Sequence, residues 1–364
     1  MSEHETILCP IDFSAASGAA VERALSLVME AKGQLHLVHA TPLPPFGLDE
    51  DPGSELIGSM RDAGREQLDA FLEDVNDRGI PIAASVREAD PAHVIHEVAR
   101  DPDVKLIVMG SNGRRGLDRF LLGSVTARVV QGAPVPVLVV REEAEHAGQP
   151  MRSILMATDF SEESMRVEPI VAMWARRFNA EVEVIHVVRE TAVLFAPYAV
   201  VGSSDFEGEL YEASTQRMKK VLERLSHYGV EAKSRIVYGH PEEEILTRAE
   251  STNVDLIAMG TRGYAGFSRV MLGSVAQRVI AHAPCNVVVA GASAQEPAEP
   301  EATREARSES PPAAYAVDDI DNSESEVHQD EFPTAEELTS RLFSLVMTGV
   351  LSVILFMVAI ASQI

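Results

Sequence analysis

Two short stretches carry the residue types that could do chemistry. Residues 110–124 read G-S-N-G-R-R-G-L-D-R-F-L-L-G-S and residues 260–274 read G-T-R-G-Y-A-G-F-S-R-V-M-L-G-S. Both have the form G-x2-G-x9-G-S, both follow an apolar run suited to a buried strand (residues 106–109 and 256–259), and both precede a helical pattern. Glycines let backbone N–H groups turn toward an anion, and a helix start adds unpaired donors and a favourable dipole. The pattern predicts a phosphate cradle around Gly110, Gly113, Gly123 and Ser124, and a second around Gly260, Gly263, Gly273 and Ser274. Plain N-capping by Ser124 and Ser274 is compatible with that role, because a capped helix start is also an anion site.

A carboxylate accompanies each loop. Asp12 and Asp159 each end an apolar run and precede F-S and a helical segment, which puts both at the carboxyl edge of a sheet. Ligands bind at that edge in open α/β folds, near the point where strand order reverses, and a carboxylate there can accept hydrogen bonds from ribose hydroxyls. The alternative is that each acid caps the next helix together with Ser14 or Ser161; recurrence beside a recurring glycine loop favours the ligand. Arg114, Arg115 and Arg262 could approach a polyphosphate or remain in solvent, and because they do not match between the copies solvent is favoured.

Other chemistries are excluded by what is missing. The sequence contains no G-x-x-x-x-G-K-[ST], no G-x-G-x-x-G after the first strand, no H-E-x-x-H and no G-x-S-x-G. Histidines such as His36, His39, His186 and His240 lack ligand spacing and read as structural or exposed. Cys9 and Cys285 lie in separate apolar runs and read as buried, reduced core residues.

The elements that must position these residues alternate in type. Strand signals at residues 6–11, 34–40, 82–87, 104–109 and 135–140 enclose helical patterns at 17–31, 54–78, 91–100 and 124–131, a βαβαβαβαβ order whose near-continuous apolar strands call for a parallel sheet covered on both faces. The second half repeats this. D-F-S recurs at Asp12 and Asp159, V-H-A at Val38 answers I-H-V at Ile185, and Pro91 answers Pro241. The offset changes from 147 to 150 between the first strand and Pro91, which places an insertion in the loop at residues 189–209, unusually apolar at its centre. The predicted domains are 1–145 and 150–292.

The chain has 364 residues and a formal net charge of −25, which argues against a nucleic-acid-binding face. Much of that charge is local, since residues 295–338 hold fourteen acidic residues against Arg304 and Arg307. Residues 293–332 read as an acidic disordered linker. Residues 333–364 read as a C-terminal helix opened by a T-x-x-E capping box, with an uncharged span at 342–361 that matches a bilayer core of about 30 Å. No secretory signal is indicated at the N-terminus, and Arg341 before the span places the soluble body on the cytoplasmic side, anchored to the membrane. Ser344, Thr348 and Ser352 line one face of the span and suit helix packing in lipid, a route to a homo-oligomer.

The motifs P-I-D-F-S at Pro10, A-T-D-F-S at Ala157 and the two glycine loops resemble the universal stress protein family, in its tandem nucleotide-binding form. The resemblance covers about residues 5–141 and 152–291. It implies two α/β units of adenine-nucleotide alpha-hydrolase-like type, each with a five-stranded parallel sheet of order 3-2-1-4-5, and one ATP per unit, alone or with Mg2+ or Mn2+. Asp12 would face ribose, Ala40 would offer backbone groups to adenine, and Gly110, Gly113, Gly123, Ser124 and Val125 would surround ribose and phosphates. In the second unit the same roles fall to Asp159, Val187, Gly260, Gly263, Gly273, Ser274 and Val275. It also implies that the units pair through their last strands as an internal pseudo-dimer. A membrane-tethered nucleotide sensor or regulator is the leading expectation. A slow ATPase or autokinase using the same pockets, and a scaffold with vestigial sites and an unidentified protein partner, remain as alternatives.

Overall fold

The computed structural model describes residues 5–42, 52–75, 79–113, 122–141, 151–189, 206–262 and 272–291. The predicted linker at 293–332, the helix at 333–364 and its span lie outside these, as do Gly263, Arg114 and Arg115 and most of the apolar loop at 189–209. Among the described residues no helix is long and apolar enough to cross a membrane.

The first half contains β1 (Thr6–Ile11), α1 (Ala15–Ala31), β2 (Gln34–Thr41), α2 (Pro52–Val75), β3 (Ile82–Glu88), α3 (Pro91–Val98), β4 (Val104–Gly110), α4 (Ser124–Gly132) and β5 (Val137–Val140). The second contains β6 (Ser153–Ala157), α5 (Glu162–Met165), α6 (Glu168–Phe178), β7 (Glu181–Arg189), α7 (Phe206–His227), β8 (Ala232–Gly239), α8 (Pro241–Thr252), β9 (Leu256–Gly260), α9 (Ser274–His282) and β10 (Asn286–Ala290). Arg189 thus ends a strand and Phe206 begins a helix, so the connection between these elements is narrower than the predicted 189–209.

Strand order explains where a ligand could sit. The two halves share one ten-stranded sheet, β3-β2-β1-β4-β5-β10-β9-β6-β7-β8. Within each half the pairings are parallel and the order is the 3-2-1-4-5 that the resemblance implied. The chain moves outward from β1 through β2 to β3, then crosses back to β4. The carboxyl ends of β1 and β4 therefore flank the switch point, as do those of β6 and β9.

Side chains alternate between the two faces of the sheet. Ile7, Cys9 and Ile11 join the cluster built by α1, α2, α6 and α7, whereas Leu8 joins the one built by α3, α4, α8 and α9. Each cluster contains residues of both halves. The central strands are buried along their length, while β3 and β8 at the edges expose part of theirs. Both cysteines are free and buried in these clusters, and burial pushes both thiols up, Cys285 to about 12.

The halves join where β5 and β10 pair antiparallel, with Leu138 opposite Val288. Arg141 locks this seam: its backbone N–H donates to Asn286 Oδ1 at 3.0 Å and its guanidinium donates to the Ala281 carbonyl at 2.9 Å. The equivalent positions, Gly291 and Pro136, can do neither. Because the pairing is antiparallel, the carboxyl edges of the halves face opposite ways.

Candidate functional site

Asp12 leaves β1 at the switch point and is held by its own chain. Its Oδ1 accepts from the Ser14 N–H at 3.1 Å and from the Ser14 hydroxyl at 2.5 Å, while Ser14 Oγ caps α1 by accepting from the Ser17 N–H at 3.2 Å. Asp159 repeats this with Ser161 at 3.0 and 2.5 Å, and Ser161 Oγ accepts from the Ser164 N–H at 3.2 Å. The helix cap is thus the serine, and the acid orients the serine. That arrangement fixes the carboxylate at the sheet edge in both halves.

The glycines of the loop divide by function. A Cβ on Gly113 would lie 2.6 Å from Asp12 Oδ2, so the loop approaches the acid closely only because that residue has no side chain. A Cβ on Gly110 would instead meet the Ala16 carbonyl oxygen at 2.8 Å, and one on Gly260 the Glu163 carbonyl oxygen at 2.8 Å. These two let a strand end pack against the start of a helix, a structural duty that spacing alone does not separate from phosphate binding.

Gly123 and Gly273 close the loops. Their N–H groups donate to the carbonyls of Ser111 and Thr261, each at 2.9 Å, and those residues in turn donate to the carbonyls of Val140 and Ala290 at 3.1 Å. Gly123 and Gly273 are also the N-caps of α4 and α9, and neither has a side-chain capping bond. This corrects the capping alternative for Ser124 and Ser274, which are the first residues inside the helices and are exposed. The first intrahelical bonds are Ala127 N–H to Gly123 and Gln277 N–H to Gly273. The preceding amides, those of Ser124, Val125, Ser274 and Val275 among them, belong to helix starts with no side-chain cap, which is what an anion site requires. Val125 and Val275 pack their side chains against the core cluster that α4 and α9 cover.

At the ends of β2 and β7, Ala40 is half-buried and Val187 buried, so at these positions too the backbone is the part that could meet a base. The partner of Gly113 in the second half, Gly263, lies outside the described residues. Arg262 is half-buried at its loop.

The universal stress protein family profile matches residues 3–141 and again 150–291. The chain belongs to the universal stress protein family. Among related universal stress proteins, MJ0531 of Methanocaldococcus jannaschii is 36% identical over 38% of this chain and 83% of its own length. Rv2623 of Mycobacterium tuberculosis is 27% identical over 78% of this chain and 95% of its own. A universal stress protein of Archaeoglobus fulgidus superimposes with a TM-score of 0.61 at 22% identity, over 79% of this chain and 98% of its own, a likeness of fold.

In this universal stress protein one part of the site escapes a reading by motif. Phe13 and Phe160, next after the acids, have φ of 60° and 65°. Their rings pack at a tilt on those of His39 and His186, with centroids 4.7 and 4.1 Å apart. The signal was present in the recurrence of D-F-S and of V-H-A and I-H-V, yet neither residue type carries a ligand spacing. Burial, the largest influence on His186, lowers its pKa, so the ring is neutral near pH 7.

Proposed function

We propose that the chain is a tandem ATP-binding universal stress protein with one nucleotide site in each half, acting as a nucleotide-dependent sensor or regulator. A single repeated arrangement carries this reading: an acid fixed at the carboxyl edge of the sheet beside a glycine-closed helix start with no side-chain cap. The acid suits ribose hydroxyls and the helix start suits phosphates, at the sheet edge where open α/β folds take ligands. Among the described residues no three His, Cys, Asp or Glu side chains group as metal ligands. Mg2+ or Mn2+ bound with the nucleotide would take most of its ligands from phosphate and water.

The uncharged stretch at 342–361 supports a second element of the proposal, that the body is tethered to the cytoplasmic face of a membrane. The full chain should then pellet with membranes and resist extraction by high salt or carbonate, while a chain ending at Asp330 stays in the supernatant. Equal extraction of both would contradict the tether. The nucleotide reading is tested by releasing and identifying the small molecule that co-purifies with the protein. An adenine nucleotide approaching two per chain supports it; a chain that carries none and takes up none refutes it.

A further inference from the structure

The strain beside each acid has a specific brace. A left-handed backbone is uncommon for any residue with a side chain and a genuine outlier for a bulky one, so Phe13 and Phe160, at φ 60° and 65°, are held there by their surroundings. The same histidine touches both sides of the acid. His39 reaches from β2 to β1, where its Nδ1 lies 2.8 Å from the carbonyl oxygen of Ile11, the residue before Asp12, and its ring packs on Phe13, the residue after it. His186 does the same in the second half, with Nδ1 2.9 Å from the Thr158 carbonyl and its ring on Phe160. A carbonyl only accepts, so Nδ1 must be the protonated nitrogen.

The geometry points to His39 and His186 as positioning residues of the two nucleotide sites, each fixing the backbone on both sides of the acid so that its carboxylate is aimed at the ribose hydroxyls. This rests on the nucleotide reading above. Recurrence supports it: the acid, the strained phenylalanine, the histidine ring packed on it and the carbonyl bond appear together twice, in halves whose surroundings differ. In the second half Thr158 Oγ1 also accepts from the Phe160 N–H at 3.0 Å, a bond that Ile11 cannot supply, and yet the histidine clasp is kept. The acid's own bonds to Ser14 or Ser161 fix one carboxylate oxygen, but they run forward along the chain and do not hold the strand end behind it. The histidine side chain adds a bond there from the neighbouring strand, beyond the ladder that already pairs the two strands.

The test compares ATP with 2′,3′-dideoxy-ATP on the full chain in detergent, by titration calorimetry, for the wild type and for His39→Leu, His39→Asn and Asp12→Asn. Leucine removes both the donor and the flat ring, whereas the asparagine amide N–H occupies the place of Nδ1–H. His39→Leu should weaken ATP binding at one site by about three- to tenfold, the scale of one net hydrogen bond, leave dideoxy-ATP unchanged there, and leave the second site at full affinity as proof that the chain is folded. Asp12→Asn should remove the same preference for ATP over dideoxy-ATP, and His39→Asn should restore most of it. Equal weakening of both ligands by His39→Leu, or no rescue by asparagine, would overturn the positioning role and leave the nucleotide reading standing. A wild type that binds ATP and dideoxy-ATP equally would also overturn it. A wild type that binds neither would refute the nucleotide reading, and this inference with it.

Discussion

At the scale of residues, glycines with similar spacing do different work, and substitution separates them. Gly110→Ala drives a Cβ to 2.8 Å from backbone at Ala16 and should destabilise the fold by about 1–3 kcal/mol in denaturant titration. Gly113→Ala presses on the Asp12 carboxylate instead, so it should leave stability nearly unchanged and lower ATP affinity at the first site. Histidine makes a second prediction. Burial lowers the pKa of both His36 and His186, so below about pH 6.5 the unfolded chain takes up protons that the folded chain refuses. Stability should fall as pH drops from about 7 toward 5, and His186→Asn should flatten part of that slope in urea titrations. The acids and glycine loops were legible because they recur as motifs. The histidine clasp was not, because a bond from Nδ1 to a carbonyl on another strand leaves no spacing in the sequence.

Elements were legible wherever one face or both had to be buried. The strand predicted at residues 6–11 is β1 to the residue, since its apolar run is buried on both sides. The long helix predicted at 54–78 is described as Pro52–Val75, and residues 76–78 lie outside the described residues. The split of the second half's first helix into α5 and α6 was also hidden. It places Glu168 at the start of α6, 3% exposed, where the Arg224 guanidinium of α7 donates to its two oxygens at 2.8 and 2.7 Å. Arg224→Met would leave that carboxylate buried without its partner, at a cost of about 3 kcal/mol, measurable as a lower denaturation midpoint with an unchanged m-value. A smaller effect than about 1 kcal/mol would mean that the carboxylate finds another partner or water.

The two halves form one sheet rather than two neighbours, because β5 and β10 pair and each core cluster runs through both halves. The repeat in the sequence announces two units and the resemblance implied their pairing through the last strands, but the Arg141 bonds that reinforce the seam were not legible, because they are not repeated. Trp174, the sole tryptophan and 1% exposed in α6, reports on the second half alone, whereas far-UV circular dichroism reports on both. The two signals should therefore unfold together, and a tryptophan transition well separated from the dichroism would show that the halves unfold independently. The opposed carboxyl ends put the two proposed sites at opposite edges of the sheet, so each should fill without steric conflict with the other. Titration calorimetry with ATP tests the central claim most directly. The wild type should take up two equivalents, Gly123→Val one, and the Gly123→Val, Gly273→Val double variant none; a wild type with no binding up to millimolar ATP would contradict the account.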